Sequence, residues 1–226
     1  MTGPVDHAPG GRRVTAGSVC CLGLAAAAAG LLFAPVFGVP ALLLPVGVPA
    51  GVVSLAALVD ARRPALAGWR PLLLAGVGLL AVVETTLWPS TTAGLPTGET
   101  LRTLVAGATD AWRLTLQSTW PARPEPELLL FVPLLVVLAA VLGIELLHRL
   151  GTALPALAPS CAVAVFSQCY APLSTGPGTA AAVGYAAVAG AFLVSTGPGG
   201  TVGAGGVGGP AAVRYADSAA GRTARL

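Results

Sequence analysis

A chain of 226 residues with 55% hydrophobic and only 9% charged residues carries more apolar surface than a soluble domain of this size can bury. All 12 basic residues are arginine, and the absence of lysine excludes a P-loop phosphate site and a Schiff-base enzyme, since both need a lysine amine. The net charge of +3 is small and spread over several segments, so we predict no nucleic-acid partner. The composition predicts an all-α integral membrane protein, because lipid solvates apolar side chains and each helix satisfies its own backbone hydrogen bonds.

Six apolar runs predict about six transmembrane helices, each near the length that crosses a bilayer. They cover residues 14–34, 39–59, 71–88, 128–147, 153–171 and 180–195. The first run follows Arg12 and Arg13, as a cleavable secretory signal also would. Its length is that of a full span, so we predict an uncleaved anchor behind a cytoplasmic tail of residues 1–13.

Two of the runs have unusual composition. The second contains Pro40, Pro45 and Pro49, which a transmembrane helix tolerates where neighbouring helices satisfy the freed backbone carbonyls. In the sixth, small residues recur at four-residue spacing, namely Ala180 and Gly184 in one row and Ala182, Ala186 and Gly190 in another. Small residues at that spacing let helix backbones approach closely. We therefore predict that the sixth helix packs against the other spans rather than facing lipid.

Two carboxylates lie near the ends of predicted spans, and both are candidate interface residues. Glu84 precedes the end of the third run by about one turn, and Glu145 precedes the end of the fourth. An acid inside the membrane suggests a proton relay, whereas an acid at headgroup depth usually reaches the interface or bonds a partner helix. Arg149 follows Glu145 by four residues, a spacing that predicts an ion pair on one helix face.

The distribution of arginine predicts the orientation. With a cytoplasmic N-terminus, the inner segments hold nine arginines and the outer segments hold three, Arg102, Arg113 and Arg123. This is the bias expected when positive charge stays inside. We predict a multi-pass protein of the plasma membrane with both termini in the cytoplasm.

The long outer loop, residues 89–127, contains the pattern of an amphipathic helix over about residues 100–119. Asp110, a candidate interaction residue like Trp112 and Trp120, lies off the apolar stripe, which comprises Leu101, Leu104, Val105, Ala108, Trp112, Thr115 and Leu116. Trp112 and Trp120 are suited to the membrane interface. The stripe favours either a helix lying in the outer interface or a docking helix for another domain, and the sequence leaves both open.

After Ser195 the composition becomes rich in glycine, which predicts a flexible tail over residues 196–226. Gly203, Gly205 and Gly208 match the spacing of a dinucleotide motif. That motif needs a strand before it and a helix after it, but here a glycine linker precedes it and Pro210 follows, so we expect no nucleotide site.

Several short motifs resemble one known family. They are Leu95-Pro96-Thr97, the Gly107, Asp110 and Trp112 pattern, Trp120-Pro121, Pro124 to Leu128, Glu145-Leu146 with Arg149, and Ala153 to Pro159. Together they resemble the N-terminal multi-span region of bacterial transglutaminase-like membrane proteins of the TgpA type. The resemblance implies a membrane domain that in the family precedes an extracytoplasmic domain with a Cys-His-Asp triad.

The resemblance does not extend to catalytic residues. The predicted topology places Cys169 near the outer membrane face and His148 near the inner face, so a thiolate–imidazole pair cannot form between them. We therefore expect no catalytic, cofactor-binding or metal-binding site, and interpret the chain as a truncated or split copy. The favoured function is a membrane anchor that docks a partner, such as a separately encoded transglutaminase-like domain. The alternative is a small transporter or channel component that uses Glu84, Gln168 or the proline-rich second span.

Overall fold

A computed structural model describes residues 14–61, 68–88, 97–110, 126–170 and 176–196. Within these ranges every regular element is a helix, as the composition predicts. In chain order they are α1 (Ala16–Leu31), α2 (Ala34–Phe37), α3 (Val39–Asp60), α4 (Arg70–Thr86), α5 (Gly98–Thr109), α6 (Pro126–Leu129), α7 (Phe131–Leu150), α8 (Ala153–Ser167) and α9 (Gly176–Thr196). The predicted N-terminal tail, nearly all of the glycine-rich tail with its dinucleotide-like motif, Trp112 and Trp120 lie outside the described residues.

Three of these helices are long and apolar enough to cross a membrane: α3, α7 and the part of α9 from Gly178 to Thr196. The apolar helices α1 and α8 are shorter, with 16 and 15 residues. The fold is therefore that of an α-helical protein compatible with a membrane location.

Two glycines with positive φ separate consecutive helices. Gly38, with φ of +84°, lies between α2 and α3, and Pro40 occupies the first turn of α3. Gly151, with φ of +63°, ends α7, and its N–H donates to the carbonyl of Leu147. Side chains strain this left-handed conformation, so glycine is the residue that allows each helix to stop there.

Helices α1 and α7 form the centre of the bundle. α1 packs against α3, α7, α8 and α9, and α7 also packs against α3, α4 and α8. Gly30 of α1 approaches Val136, near the start of α7, whereas Gly143, later in α7, approaches Leu22, which precedes Gly30 in α1. The two central helices are therefore antiparallel.

The helix directions define two ends of the bundle. Gly23 lies against Ser54 and Gly30 against Val46, so α3 also runs antiparallel to α1 and in the same direction as α7. The end at which α3 and α7 terminate carries Arg70 and Arg149, and we call it the basic end. We call the opposite end, where α1 ends and α7 begins, the aromatic end.

The helix bounds differ from the predicted runs in several places, and the fourth run is divided at Leu130 between α6 and α7. The first run is interrupted at Leu32 and Phe33, which separate α1 from the short α2. The fifth helix ends at Ser167 and continues as turns to Tyr170. The amphipathic helix begins at Gly98, two residues earlier than predicted, because Thr97 caps it; its predicted continuation beyond Asp110 lies outside the described residues.

The sixth predicted helix, α9, packs against α1, but most of its surface is exposed rather than buried among the other spans. In its most apolar window 11% of α9 is buried, compared with 61% for α7. Ala180, Gly184 and Ala186 are exposed, and Ala182 and Gly190 are half-buried. The helix contacts the core through Phe192, which is fully buried, and through Tyr185, Val188 and Ala189, which are partly buried.

Close backbone approach also occurs between α7 and α8. A Cβ atom at Gly143 would lie 2.8 Å from the backbone carbonyl oxygen of Ala156. A Cβ at Gly78 of α4 would similarly lie 2.6 Å from Val137 of α7. These contacts show that glycines of α4 and α7 allow close packing within the bundle.

Candidate functional site

Aromatic rings close the aromatic end of the bundle. The ring centroid of Phe33 lies 5.4 Å from that of Phe131 and 5.5 Å from that of Tyr170. Phe166 of α8 lies 5.3 Å from Tyr170, and Phe37 of α2 lies 6.2 Å from Phe131. Edge-to-face arrangements at these separations are favourable beyond the area that they bury. The aromatic rings pack α2, α7 and α8 against the end of α1. We call this ring cluster the aromatic platform.

Helix α5, from the loop between α4 and α6, docks beside this platform. Gly107 is buried against Leu130. A Cβ atom at position 107 would overlap the Cδ2 atom of Leu130. The helix begins with a capping box, in which the Thr97 hydroxyl accepts from the Thr100 N–H and the Thr100 hydroxyl accepts from the Thr97 N–H. Thr100 is 1% exposed, so this cap is also part of the docked face.

The apolar stripe of α5 faces away from the bundle. Leu101 is 61% exposed and Val105 is 55% exposed, and Ala108 is exposed as well. Among the described residues of the predicted stripe, Leu104 alone is partly buried against the core. The helix is therefore held by its glycine and threonine face, and it presents most of its apolar side chains outward.

The predicted interface residues do not form one cluster. Asp110 is exposed at the end of α5, where its carboxylate accepts a bond from the Thr109 hydroxyl at 3.1 Å. Glu84 is half-buried in the last turn of α4, toward the aromatic end. Glu145 and Arg149 lie on α7 at the basic end, while Trp112 and Trp120 fall outside the described residues.

The ion pair predicted from spacing on α7 is present. Arg149 Nε donates to Glu145 Oε1 at 2.5 Å. The guanidinium side chain is 69% exposed, whereas the carboxylate side chain is 15% exposed and its Oε2 is buried with no partner among the described residues. The pair lies at the surface of the basic end, where it contributes little to stability.

A second ion pair at the basic end was not predicted. Arg70 Nε donates to Asp60 Oδ2 at 2.5 Å. Arg70 is the first residue of α4, and Asp60 is the last residue of α3. Both side chains are nearly buried, with exposed fractions of 12% and 9%. The sequence carried one signal for this contact: Asp60 is the only acid in the segment that also holds Arg62, Arg63 and Arg70.

Helices α8 and α9 share a polar contact near the middle of both helices. The Tyr185 hydroxyl lies 3.2 Å from Ser160 Oγ and 3.0 Å from Cys161 Sγ. Ser160 also donates to the carbonyl of Leu157 at 2.9 Å. Hydrogen bonds of this kind hold helices together in an apolar surrounding.

Comparison with protein-family models, with curated proteins and with solved structures finds no significant match. The resemblance to transglutaminase-like membrane proteins rests on the sequence motifs alone.

Proposed function

We propose that the chain is a six-span membrane domain that anchors and docks an extracytoplasmic partner through α5. In this proposal α1 with α2, α3, α4, α7, α8 and α9 are the spans, and the aromatic end faces the outside. The arginine distribution supports that direction, since Arg70 and Arg149 then lie on the cytoplasmic side with both termini.

The orientation of α5 is the observation that supports a docking role best. A helix that only completed the bundle would turn its apolar stripe inward, but Leu101 and Val105 point outward while Gly107 contacts the bundle. Exposed apolar side chains on a helix fixed to a rigid support are typical of an interaction surface. The aromatic platform supplies that support.

The motif resemblance suggests the kind of partner. Gly107 and Asp110 belong to the pattern that resembles transglutaminase-like membrane proteins, and both lie on α5. A separately encoded extracytoplasmic domain of that class is the partner that we propose.

A transporter or channel component is the weaker candidate. A solute pathway needs polar groups at mid-membrane depth. Glu84 lies in the last turn of α4, and Gln168 lies just beyond α8, where it donates to Ser167 Oγ at 3.1 Å. Both groups named for transport are thus at helix ends.

Site-specific photo-crosslinking tests the docking proposal. A photoreactive amino acid at Leu101 or Val105 should crosslink to one extracytoplasmic protein, identified by mass spectrometry. Arg102 on the same helix is the matched control, since its side chain is 85% exposed but lies off the apolar stripe. Crosslinks to lipid alone at Leu101 and Val105 would favour an interfacial helix and contradict the docking role.

Reporter fusions test the six spans and their direction. Alkaline phosphatase, which is active only outside the cytoplasm, should be active when inserted after Pro96 and inactive when fused after Thr196. Activity after Thr196 would contradict the proposed topology.

A further inference from the structure

An apolar groove between α3 and α4 ends at the buried ion pair of the basic end. The groove encloses about 400 Å³. Its walls are aliphatic apart from Asp60 and Arg70, and comprise Val52, Leu55, Ala56, Val59, Leu73, Leu74 and Val77. Two grooves of similar size, between α1 and α3 and between α7 and α8, have no charged residue in their walls.

The ion pair leaves specific hydrogen-bonding capacity unused. Asp60 Oδ2 accepts from Arg70, but Asp60 Oδ1 is buried and has no partner among the described residues. A buried carboxylate oxygen without a donor is costly, so an N–H group of a ligand would stabilise Asp60 Oδ1. The bond to Asp60 uses the Nε–H of Arg70, and a guanidinium has four further N–H groups that suit a phosphate.

The polarity of the pair opposes both helix dipoles. Asp60 is the last residue of α3, where a helix favours a cation, and Arg70 is the first residue of α4, where a helix favours an anion. Reversing the two residues would keep the ion pair and would improve both helix ends. The observed polarity therefore costs stability, which favours a role in binding over a role in folding alone.

We propose that this groove binds phosphatidylethanolamine, with an acyl chain along the aliphatic walls, the phosphate at Arg70 and the ammonium group at Asp60. The proposal rests on the membrane placement proposed above and is independent of the docking role of α5. The site lies at a helix end, at the depth of lipid headgroups. A primary ammonium supplies the donor that Asp60 Oδ1 lacks, whereas the methylated amine of phosphatidylcholine has no N–H and phosphatidylglycerol has no cation.

Native mass spectrometry of the full chain in detergent, with equimolar competing lipids, measures this preference. We expect phosphatidylethanolamine to be retained about tenfold over phosphatidylcholine, the effect of one charge-assisted hydrogen bond. In Asp60→Asn, phosphatidylethanolamine should lose its advantage, and phosphatidylglycerol should gain, because Arg70 no longer has an anionic partner. Glu99→Gln, which removes a carboxylate that is 72% exposed on α5 at the aromatic end, is the matched control and should retain the wild-type preference.

A second pair of variants tests the groove without touching the charges. Ala56→Phe fills the α3–α4 groove and should lower lipid retention several-fold, while Ala162→Phe fills the uncharged groove between α7 and α8 and should not. Circular dichroism and size-exclusion profiles identify any variant that fails to fold. Equal retention of all three lipids by the wild type would overturn the proposal, and so would a wild-type preference for phosphatidylglycerol. Neither result would affect the reporter-fusion test, so failure of this proposal and failure of the topology are distinguishable.

Discussion

Gly107 of α5 lies directly against the side chain of Leu130, so that no side chain fits between α5 and the start of α7. This contact connects a helix of the long loop to the centre of the bundle. It also determines which face of α5 remains exposed.

Replacing Gly107 by alanine should therefore loosen α5. The new methyl group would overlap Leu130 Cδ2, so either Leu130 must shift or the helix must move away. Hydrogen–deuterium exchange over residues 97–110 should become faster, while exchange in α7 should be nearly unchanged. Gly98→Ala on the same helix is the control, because a Cβ there meets no atom within 4 Å. Unchanged exchange in Gly107→Ala would mean that the contact does not hold α5.

Gly143→Ala should destabilise the bundle. A Cβ atom there would lie 2.8 Å from the carbonyl oxygen of Ala156, and backbone cannot yield as a flexible side chain can. We expect a loss of about 1–3 kcal/mol in the free energy of unfolding, the usual cost of overpacking. Denaturant titration in micelles, followed by circular dichroism, measures it.

Gly76→Ala provides the comparison for that experiment. Gly76 is exposed on α4, and a Cβ there meets nothing within 4 Å. Alanine is a better helix former than glycine. The free energy of unfolding of this variant should therefore equal that of the wild type or exceed it by up to about 1 kcal/mol. A similar loss in both variants would show that the α7–α8 contact is not tight.

The two arginines of the basic end should differ in their contribution to stability. Arg70→Ala leaves the nearly buried Asp60 carboxylate without its partner, and we expect a loss of roughly 3–5 kcal/mol. Arg149→Ala leaves Glu145, which is 15% exposed, without its partner, but the guanidinium is 69% exposed and water screens the pair, so we expect a smaller loss of about 1–2 kcal/mol. Unfolding measurements under one set of conditions compare the free energies of unfolding of the two variants. An equal loss in Arg149→Ala and Arg70→Ala would contradict this prediction.

Replacing Phe33 by alanine should weaken the packing of the helices at the aromatic end. Phe33 is 0% exposed and contacts Phe131, Phe166 and Tyr170, so its removal leaves a cavity where three helices meet. We expect a loss of about 3–5 kcal/mol. Leu154→Ala, at a position that is 72% exposed, should have a much smaller effect. Near-equal melting temperatures for the two variants would contradict the platform described for this end.

Hydropathy and helical periodicity by themselves determined the all-helical class, the approximate positions of most helices and the Glu145–Arg149 pair. These features depend on interactions within about one helical turn, so they can be read from neighbouring residues. The exposed stripe of α5 was also visible as a pattern, but its direction relative to the bundle was not.

Only the tertiary structure decided which helix faces meet. The Asp60–Arg70 pair, the Gly107–Leu130 contact and the exposure of the small residues of α9 depend on how separate helices cross. In a lipid setting an apolar face is equally stable against lipid or against another helix, so hydrophobicity alone does not distinguish the two. Shape complementarity between segments distant in sequence makes that choice, and it put α1 and α7 at the centre and left α9 at the edge.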